Sequence, residues 1–219
     1  MRTTEVGLSL EALLEREARR RGVWDLGRPE SPRQRLVRLA RDLPYRRASS
    51  RAPEAIVREW CGTCSGKHAL LRALFEARGI PTRLMLATHR FTLETAPFLP
   101  PHLREALGSG GIPDVHTFLQ ARWDGRWVVV DVTWPGAARA LGLPANETWD
   151  GHSDMRIACV PIAFHEVRDD AQAEKAALLA THCGPDRARR ETFIEALADW
   201  LGAAIGEAPD RSSGPPQRT

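Results

Sequence analysis

The sequence predicts an α+β fold in which a helix that begins at a cysteine packs against an antiparallel β-sheet, with further helices at both ends of the chain. Three observations carry this expectation. The small, glycine-punctuated stretch Cys61-Gly62-Thr63-Cys64-Ser65-Gly66 leads into Lys67–Arg78, where Ala69, Leu70, Ala73, Leu74 and Ala77 form one apolar stripe at helical spacing. The runs His116–Trp123 and Arg126–Trp134 are rich in β-formers and are joined by Asp124-Gly125, a strong hairpin signal. Amphipathic helical patterns flank this centre on either side.

Residues 8–21 set Leu8, Leu10, Leu13 and Leu14 against Glu and Arg, a helix that Gly22 ends. After the polar stretch from Asp25, Ser31-Pro32 opens a second helix through Leu36, Leu39, Ala40 and Leu43. Pro44–Pro53 reads as a loop and Glu54–Trp60 as a short helix or turn. Gly79 closes the cysteine-bearing helix, and Ile80-Pro81 starts an extended run, Thr82–Phe91. Residues 95–114 are rich in Pro and Gly and read as a long excursion; Pro135–Asp150 reads as irregular. Ile157–Val167 is strand-like but interrupted by Pro161, and residues 170–181 and 187–204 read as two helices. The polar, Pro/Ser/Gly-rich residues 208–219 are expected to form a disordered tail, leaving one domain over 1–207.

The chain has 219 residues and a mass of 24.3 kDa, enough to bury a core without disulfide or metal staples. Hydrophobic residues at 42% and charged residues at 27% exclude a collagen, a coiled coil and a wholly disordered chain. No apolar run approaches the roughly 18 residues that span a bilayer. Glu5, Glu11, Glu15 and Glu17 stand where a signal peptide would be apolar, so a cytoplasmic setting without a membrane partner is expected. The net charge of +3 comes from 29 Arg and only 2 Lys (Lys67 and Lys175) against 28 acids. That bias reads more simply as genome composition than as a nucleic-acid footprint. Arg19-Arg20-Arg21 and Arg46-Arg47 could touch an anionic partner or be solvated faces, and no nucleic-acid partner is expected. The four cysteines, at 61, 64, 159 and 183, are expected as thiols.

The chemistry centres on Cys64. At a helix N-terminus the unpaired N–H groups and the positive end of the dipole lower a thiol pKa, and Lys67, one turn on, adds to this if it points the same way. The bland alternative is a small buried apolar residue. A two-residue turn at Asp124-Gly125 pairs Trp123 with Arg126, which makes His116 and Asp131 diagonal neighbours on adjacent strands. An aspartate among Val128, Val129, Val130 and Val132 is costly to bury without a partner, and His116 supplies one; otherwise Asp131 faces water at an edge. A thiol, an imidazole and an orienting carboxylate together follow the logic of cysteine acyl transfer.

Gly62-Thr63-Cys64-Ser65-Gly66-Lys67-His68-Ala69-Leu70-Leu71, followed by Arg78-Gly79-Ile80-Pro81-Thr82-Arg83, resembles the cysteine motif of the transglutaminase-like superfamily. His116-Thr117-Phe118 and the run from Asp124 through Trp127 and Asp131 to Thr133 resemble its histidine and aspartate motifs. The resemblance covers about residues 55–135. It implies a papain-like core, with Cys64 as nucleophile, His116 as general base and later acid, Asp131 as orienter and no cofactor. It also implies a peptide or small amide as the substrate partner. Phe118 stands where the family usually has Trp, and Val132 where Pro often follows the aspartate; nothing resembles the calcium sites of animal transglutaminases.

Other residues stay open. Trp60 is a candidate second oxyanion donor through its indole N–H, or a packing residue; Trp134 is a cleft wall or core. Asp154 and Arg156 either bind a charged substrate end or pair with each other. His68, one turn from Cys64, is a rival base, whereas His89 and His152 read as solvated. Cys61 and Cys64 form a C-x-x-C that could be a regulatory disulfide or half of a zinc site with Cys159, His182 and Cys183. Against the enzyme stands a second function class, a catalytically silent transglutaminase-like binding or scaffold module.

Overall fold

The computed structural model describes residues 8–206. Ser9 accepts a hydrogen bond from the Ala12 N–H and caps α1 (Leu10–Arg20). Ser31 and Gln34 form a reciprocal capping box, with Pro32 at the first helical position, and start α2 (Pro32–Arg41). Helix α3 (Pro53–Glu59) ends at Trp60 in the left-handed region, φ 54°, which turns the chain sharply toward the cysteines. Helix α4 (Cys64–Glu76) then begins at Cys64 itself, three residues before the run Lys67–Arg78 that carries the apolar stripe.

The remaining elements are β1 (Thr82–Phe91), α5 (Pro101–Leu107), β2 (Ile112–Trp123), β3 (Arg126–Val130), a short 3-10 helix at Gly136–Leu141, β4 (Pro161–Glu166), α6 (Ala171–Cys183) and α7 (Arg187–Ala204). The strands form one antiparallel sheet in the order β3-β2-β1-β4, giving the α+β architecture expected of a transglutaminase-like core. The β2–β3 hairpin has the expected register, Trp123 opposite Arg126 through Leu119 opposite Val130. Its turn residues Asp124 and Gly125 both have positive φ, the conformation that makes Asp-Gly a hairpin signal.

Helix α4 packs against β2 and β1. Its Leu70, Leu71, Leu74 and Phe75 are fully buried between α1–α3 and the sheet residues Leu84, Leu119, Val128 and Val130. A second cluster joins Phe91 and Ile112 to Leu103 of α5, Phe193 and Leu197 of α7, and Trp134. A third, smaller one seats Leu179 and Cys183 of α6 on Leu86 and Val115.

Three segments differ from the sequence reading. The excursion at 95–114 contains α5, whose Pro101 sits at the first helical position and whose Leu103 and Leu107 are buried four residues apart. It ends earlier than expected because β1 runs to Phe91, which pairs with Ile112 and starts β2 there. The strand expected at 157–167 shrinks to Pro161–Glu166, since residues 155–158 turn inward: the Met155 N–H donates to Val129 O and the Ala158 N–H to Asp131 Oδ2. Pro161 begins this edge strand rather than breaking it. The irregular segment after Pro135 holds the 3-10 helix. The tail expected at 208–219 lies outside the described residues. Among the described residues no helix is long and apolar enough to cross a membrane.

Gly111, immediately before β2, has φ +66°, and a Cβ there would lie 2.3 Å from the Phe91 carbonyl oxygen. A Gly111→Ala variant is therefore expected to lose about 2–3 kcal/mol of stability. Urea unfolding with a lower midpoint and unchanged slope is the expected result; an unchanged midpoint would refute the packing described.

Candidate active site

Three separate segments bring Cys64, His116 and Asp131 together. Cys64 opens α4, behind Thr63 at the N-cap, and the first helical hydrogen bond there is Lys67 N to Thr63 O at 3.0 Å. The preceding N–H groups of the turn have no partner within the helix. His116 sits on β2. β3 ends at Val130, so Asp131 stands one residue past the ladder, where the Asp131 N–H meets Met155 Sδ at 3.2 Å.

The His116 Nε2 to Asp131 Oδ2 distance is 2.7 Å, and the Asp131 side chain is completely buried. The same Oδ2 accepts the Ala158 N–H at 2.8 Å, and Oδ1 accepts the Thr133 N–H at 3.0 Å. Burial opposes the charge of Asp131, yet His116 and these donors hold the carboxyl well below the usual carboxylate range. With Nε2 committed to Asp131, Nδ1 is the ring nitrogen left for the Cys64 thiol. Burial would discharge His116, but the Asp131 carboxylate and then Cys64 push its pKa up to about 10. Phe118 stacks parallel to the imidazole at 6.2 Å.

Burial likewise opposes a Cys64 thiolate. The charge of Lys175, then the hydrogen bond and charge of His116, overcome it and lower the thiol pKa well below its ordinary value. Lys175, from α6, places Nζ 3.5 Å from Cys64 Sγ and 2.9 Å from both Ser65 Oγ and Thr117 Oγ1. Lys67 does not lend the charge that its spacing suggested: its Nζ donates to the carbonyls of Arg41 (2.8 Å) and Thr133 (3.0 Å). Lys175 was missed in the sequence because it lies 111 residues from Cys64.

His68 is fixed in a different task. Its Nδ1 donates to Cys64 O at 2.7 Å and its Nε2 accepts the Val132 N–H at 3.0 Å, which leaves neither nitrogen for a substrate. Burial lowers its pKa and keeps it neutral. His89 is buried on β1 rather than solvated, 3.5 Å from Asp114, and burial keeps its pKa low. Asp114 is in turn bound by Arg190 of α7 at 2.6 Å. His152 is exposed, as its loop position suggests.

A cleft of about 530 Å³ opens on Cys64, lined by Tyr45, Thr63, Ser65, Asp114, Lys175 and Arg190 among others. Trp60, Trp134, Asp154 and Arg156 do not line it. Trp60 packs against the first core cluster under the Arg21 guanidinium, 4.8 Å from its ring. Trp134 donates its indole N–H to Ala158 O at 3.1 Å and packs 4.7 Å behind Tyr45. Asp154 pairs with Arg126 at 2.8 Å, not with Arg156, and accepts the Val129 N–H, covering the outer edge of β3. Arg156 lies in a second hollow, tied through its backbone to Asn146.

The cysteines are all free. Cys61 Sγ approaches Arg47 O, Cys183 Sγ points at Pro113 O, and His182 binds His89 O. Among the described residues no group of three or more His, Cys, Asp or Glu side chains is arranged to hold a metal ion. His68→Leu would leave the buried Val132 N–H without an acceptor. It is expected to cost about 1–3 kcal/mol, read as a lower urea midpoint, and a variant as stable as the parent would contradict this role.

Residues 32–132 match the family model of the transglutaminase-like superfamily. No curated protein matches the chain. A solved structure from Cytophaga hutchinsonii, described as a "Putative Cysteine Protease", resembles it with a TM-score of 0.34 and 14% identity, over 78% of this chain and 60% of that one. The match thus spans 60% of that protein's length, less than two thirds. The matched segment begins at α2, ends just after Asp131, and holds Cys64 and His116 between. Residues 32–132, just under half of the chain, are thus what is similar to the transglutaminase-like superfamily.

Proposed function

We propose that this protein is a cysteine-dependent hydrolase or acyltransferase that cleaves or exchanges an amide bond through a thioester. The observation that carries the reading is the buried 2.7 Å hydrogen bond between Asp131 and His116, whose other ring nitrogen is left for the Cys64 thiol. A peptide, isopeptide or small amide is the substrate class that suits this chemistry.

In this reading the Cys64 thiolate attacks the carbonyl carbon, and the carbonyl π pair moves onto oxygen. The N–H groups at the start of α4, that of Cys64 first, are suited to hold the oxyanion. His116, protonated at Nδ1, gives its proton to the leaving nitrogen as the C–N bond breaks, leaving a thioester and a neutral imidazole. His116 then takes a proton from the incoming water or amine, whose lone pair attacks the thioester carbonyl. The C–S bond breaks and the thiolate returns. Asp131 keeps Nε2 protonated throughout, so that Nδ1 is the exchanging nitrogen.

Purified protein and a Cys64→Ala variant, screened against amide and ester substrates with mass spectrometry for the acyl-enzyme, test this reading. Turnover and a covalent adduct on Cys64 are expected for the parent and neither for the variant; equal behaviour of the two would overturn it. His116→Ala should lower kcat/KM by about 10²–10⁴-fold. The pH profile has a predicted shape. The raised His116 pKa keeps the imidazolium until pH rises through about 10, and the lowered Cys64 pKa supplies thiolate from below the ordinary thiol range upward. Activity should therefore rise on an acid limb below about pH 8.5, the ordinary thiol value, and fall only near 10. An acid limb at the ordinary thiol value would contradict the ion pair.

A further inference from the structure

Both lysines of this chain are buried: Lys67 is 0% exposed and Lys175 is 4% exposed. Every other basic position, apart from the histidines, is Arg. A chain that uses Arg for its surface cations has kept the compact ammonium at two places, and both flank the first turn of α4. An ammonium is a compact point charge on a flexible stem, and it can turn its three donors among several acceptors.

Lys175 has no carboxylate within ion-pair distance among the described residues. Its Nζ meets two neutral hydroxyls, of Ser65 and Thr117 at 2.9 Å each, and one group able to carry negative charge, Cys64 Sγ at 3.5 Å. A buried cation needs an anion, and two hydroxyls do not neutralise it. The ordinary role of a buried lysine, pairing with Asp or Glu to hold two elements together, is therefore unfilled. The lysine belongs to α6, beyond the segment that matches the transglutaminase-like family.

We propose that Lys175 is a catalytic residue, the second cation beside His116 that keeps Cys64 ionised and that follows the negative charge when it moves from sulfur to the carbonyl oxygen. In the tetrahedral adduct the sulfur is bonded and neutral, and the charge sits on the oxygen attached to the same carbon. Nζ, held otherwise among the described residues by the Ser65 and Thr117 hydroxyls, turns a proton donor toward that oxygen; no bond of Lys175 is made or broken. The inference rests on the reading of Cys64 as the nucleophile.

The thiol's titration is set by groups from several elements: His116 and Asp114 on β2, Lys175 on α6, Arg190 on α7, His89 on β1, and Tyr45 between α2 and α3. Of these, Lys175 and His116 favour the thiolate by direct contact, while Asp114 opposes it.

The test is the pH dependence of Cys64 alkylation by iodoacetamide, followed by mass spectrometry, in the parent, Lys175→Met, Lys175→Arg and His116→Ala. Lys175→Met should raise the midpoint by about 1–3 pH units. It should also lower kcat by about 10²–10³-fold at pH values where the thiol is already ionised, with KM changed less. Lys175→Arg, which keeps the charge, should restore a low midpoint. A low parental midpoint that Lys175→Met leaves unmoved would overturn the role of Lys175 while the nucleophile stands. A parental midpoint near the ordinary thiol value of about 8.5 would overturn both. Should Lys175→Met fail to fold, the parent itself decides the matter. Lysine labelled with ¹⁵N at Nζ gives two side-chain signals, as the chain has two lysines. One of them should shift when Cys64 is alkylated, and two unmoved signals would overturn the proposal.

Discussion

The buried hydrogen bond between Asp131 and His116 is the constraint around which the rest of the site is arranged. A carboxylate with no exposed surface is tolerable only if its charge is answered, and His116 answers it at 2.7 Å. The charge then propagates. An imidazolium held by Asp131 favours an ionised Cys64, and Lys175 favours it further. Asp114, on the same strand as His116, is balanced by Arg190. With the thiol ionised, the buried cluster holds three anions (Cys64, Asp114 and Asp131) and three cations (His116, Lys175 and Arg190), while His68 and His89 stay neutral. Removing one member shifts the protonation of its neighbours in a medium that solvates charge poorly, so the six groups are coupled.

The scaffold fixes this set by holding backbone, not only side chains. His68 clamps the start of α4 to the segment after β3 through Cys64 O and the Val132 N–H, which sets the thiol and the carboxylate in one frame. Asn146 binds both Asp131 O and the backbone of Arg156, and residues 155–158 close over Asp131 from the other side. The loops that looked irregular in sequence are thus the clamp that positions the Asp131 carboxylate. The 3-10 helix and Trp134 extend the same support, since the Trp134 indole fixes Ala158, whose own N–H is bound to Asp131.

Much of the site was legible because its residues lie on elements with strong local signals. The apolar stripe of α4 gave the helix, and the Asp124-Gly125 turn gave a register from which the His116–Asp131 diagonal followed by counting. Where sequence reasoning failed, the contacts are long-range. Lys175 reaches the thiol from α6 and Arg190 reaches Asp114 from α7, and no local pattern links them. Tryptophan was the least informative residue: Trp60 and Trp134 are amphipathic enough to suit a cleft or a core, and both are engaged in packing. Helix α5 had a readable signal, Pro101 followed by leucines four residues apart, masked by the surrounding Pro and Gly. The scarcity of lysine was visible from the start. Its meaning emerged only when both side chains proved to be buried beside one helix turn.

Heteronuclear NMR of the His116 ring nitrogens tests the central claim most directly. If Cys64, His116 and Asp131 form a buried ion pair with its orienting carboxylate, both ring nitrogens of His116 carry protons at neutral pH, and the ring stays charged until pH approaches about 10. A His116 ring that is neutral at pH 7, or that titrates near the ordinary histidine value of about 6.5, would contradict the account.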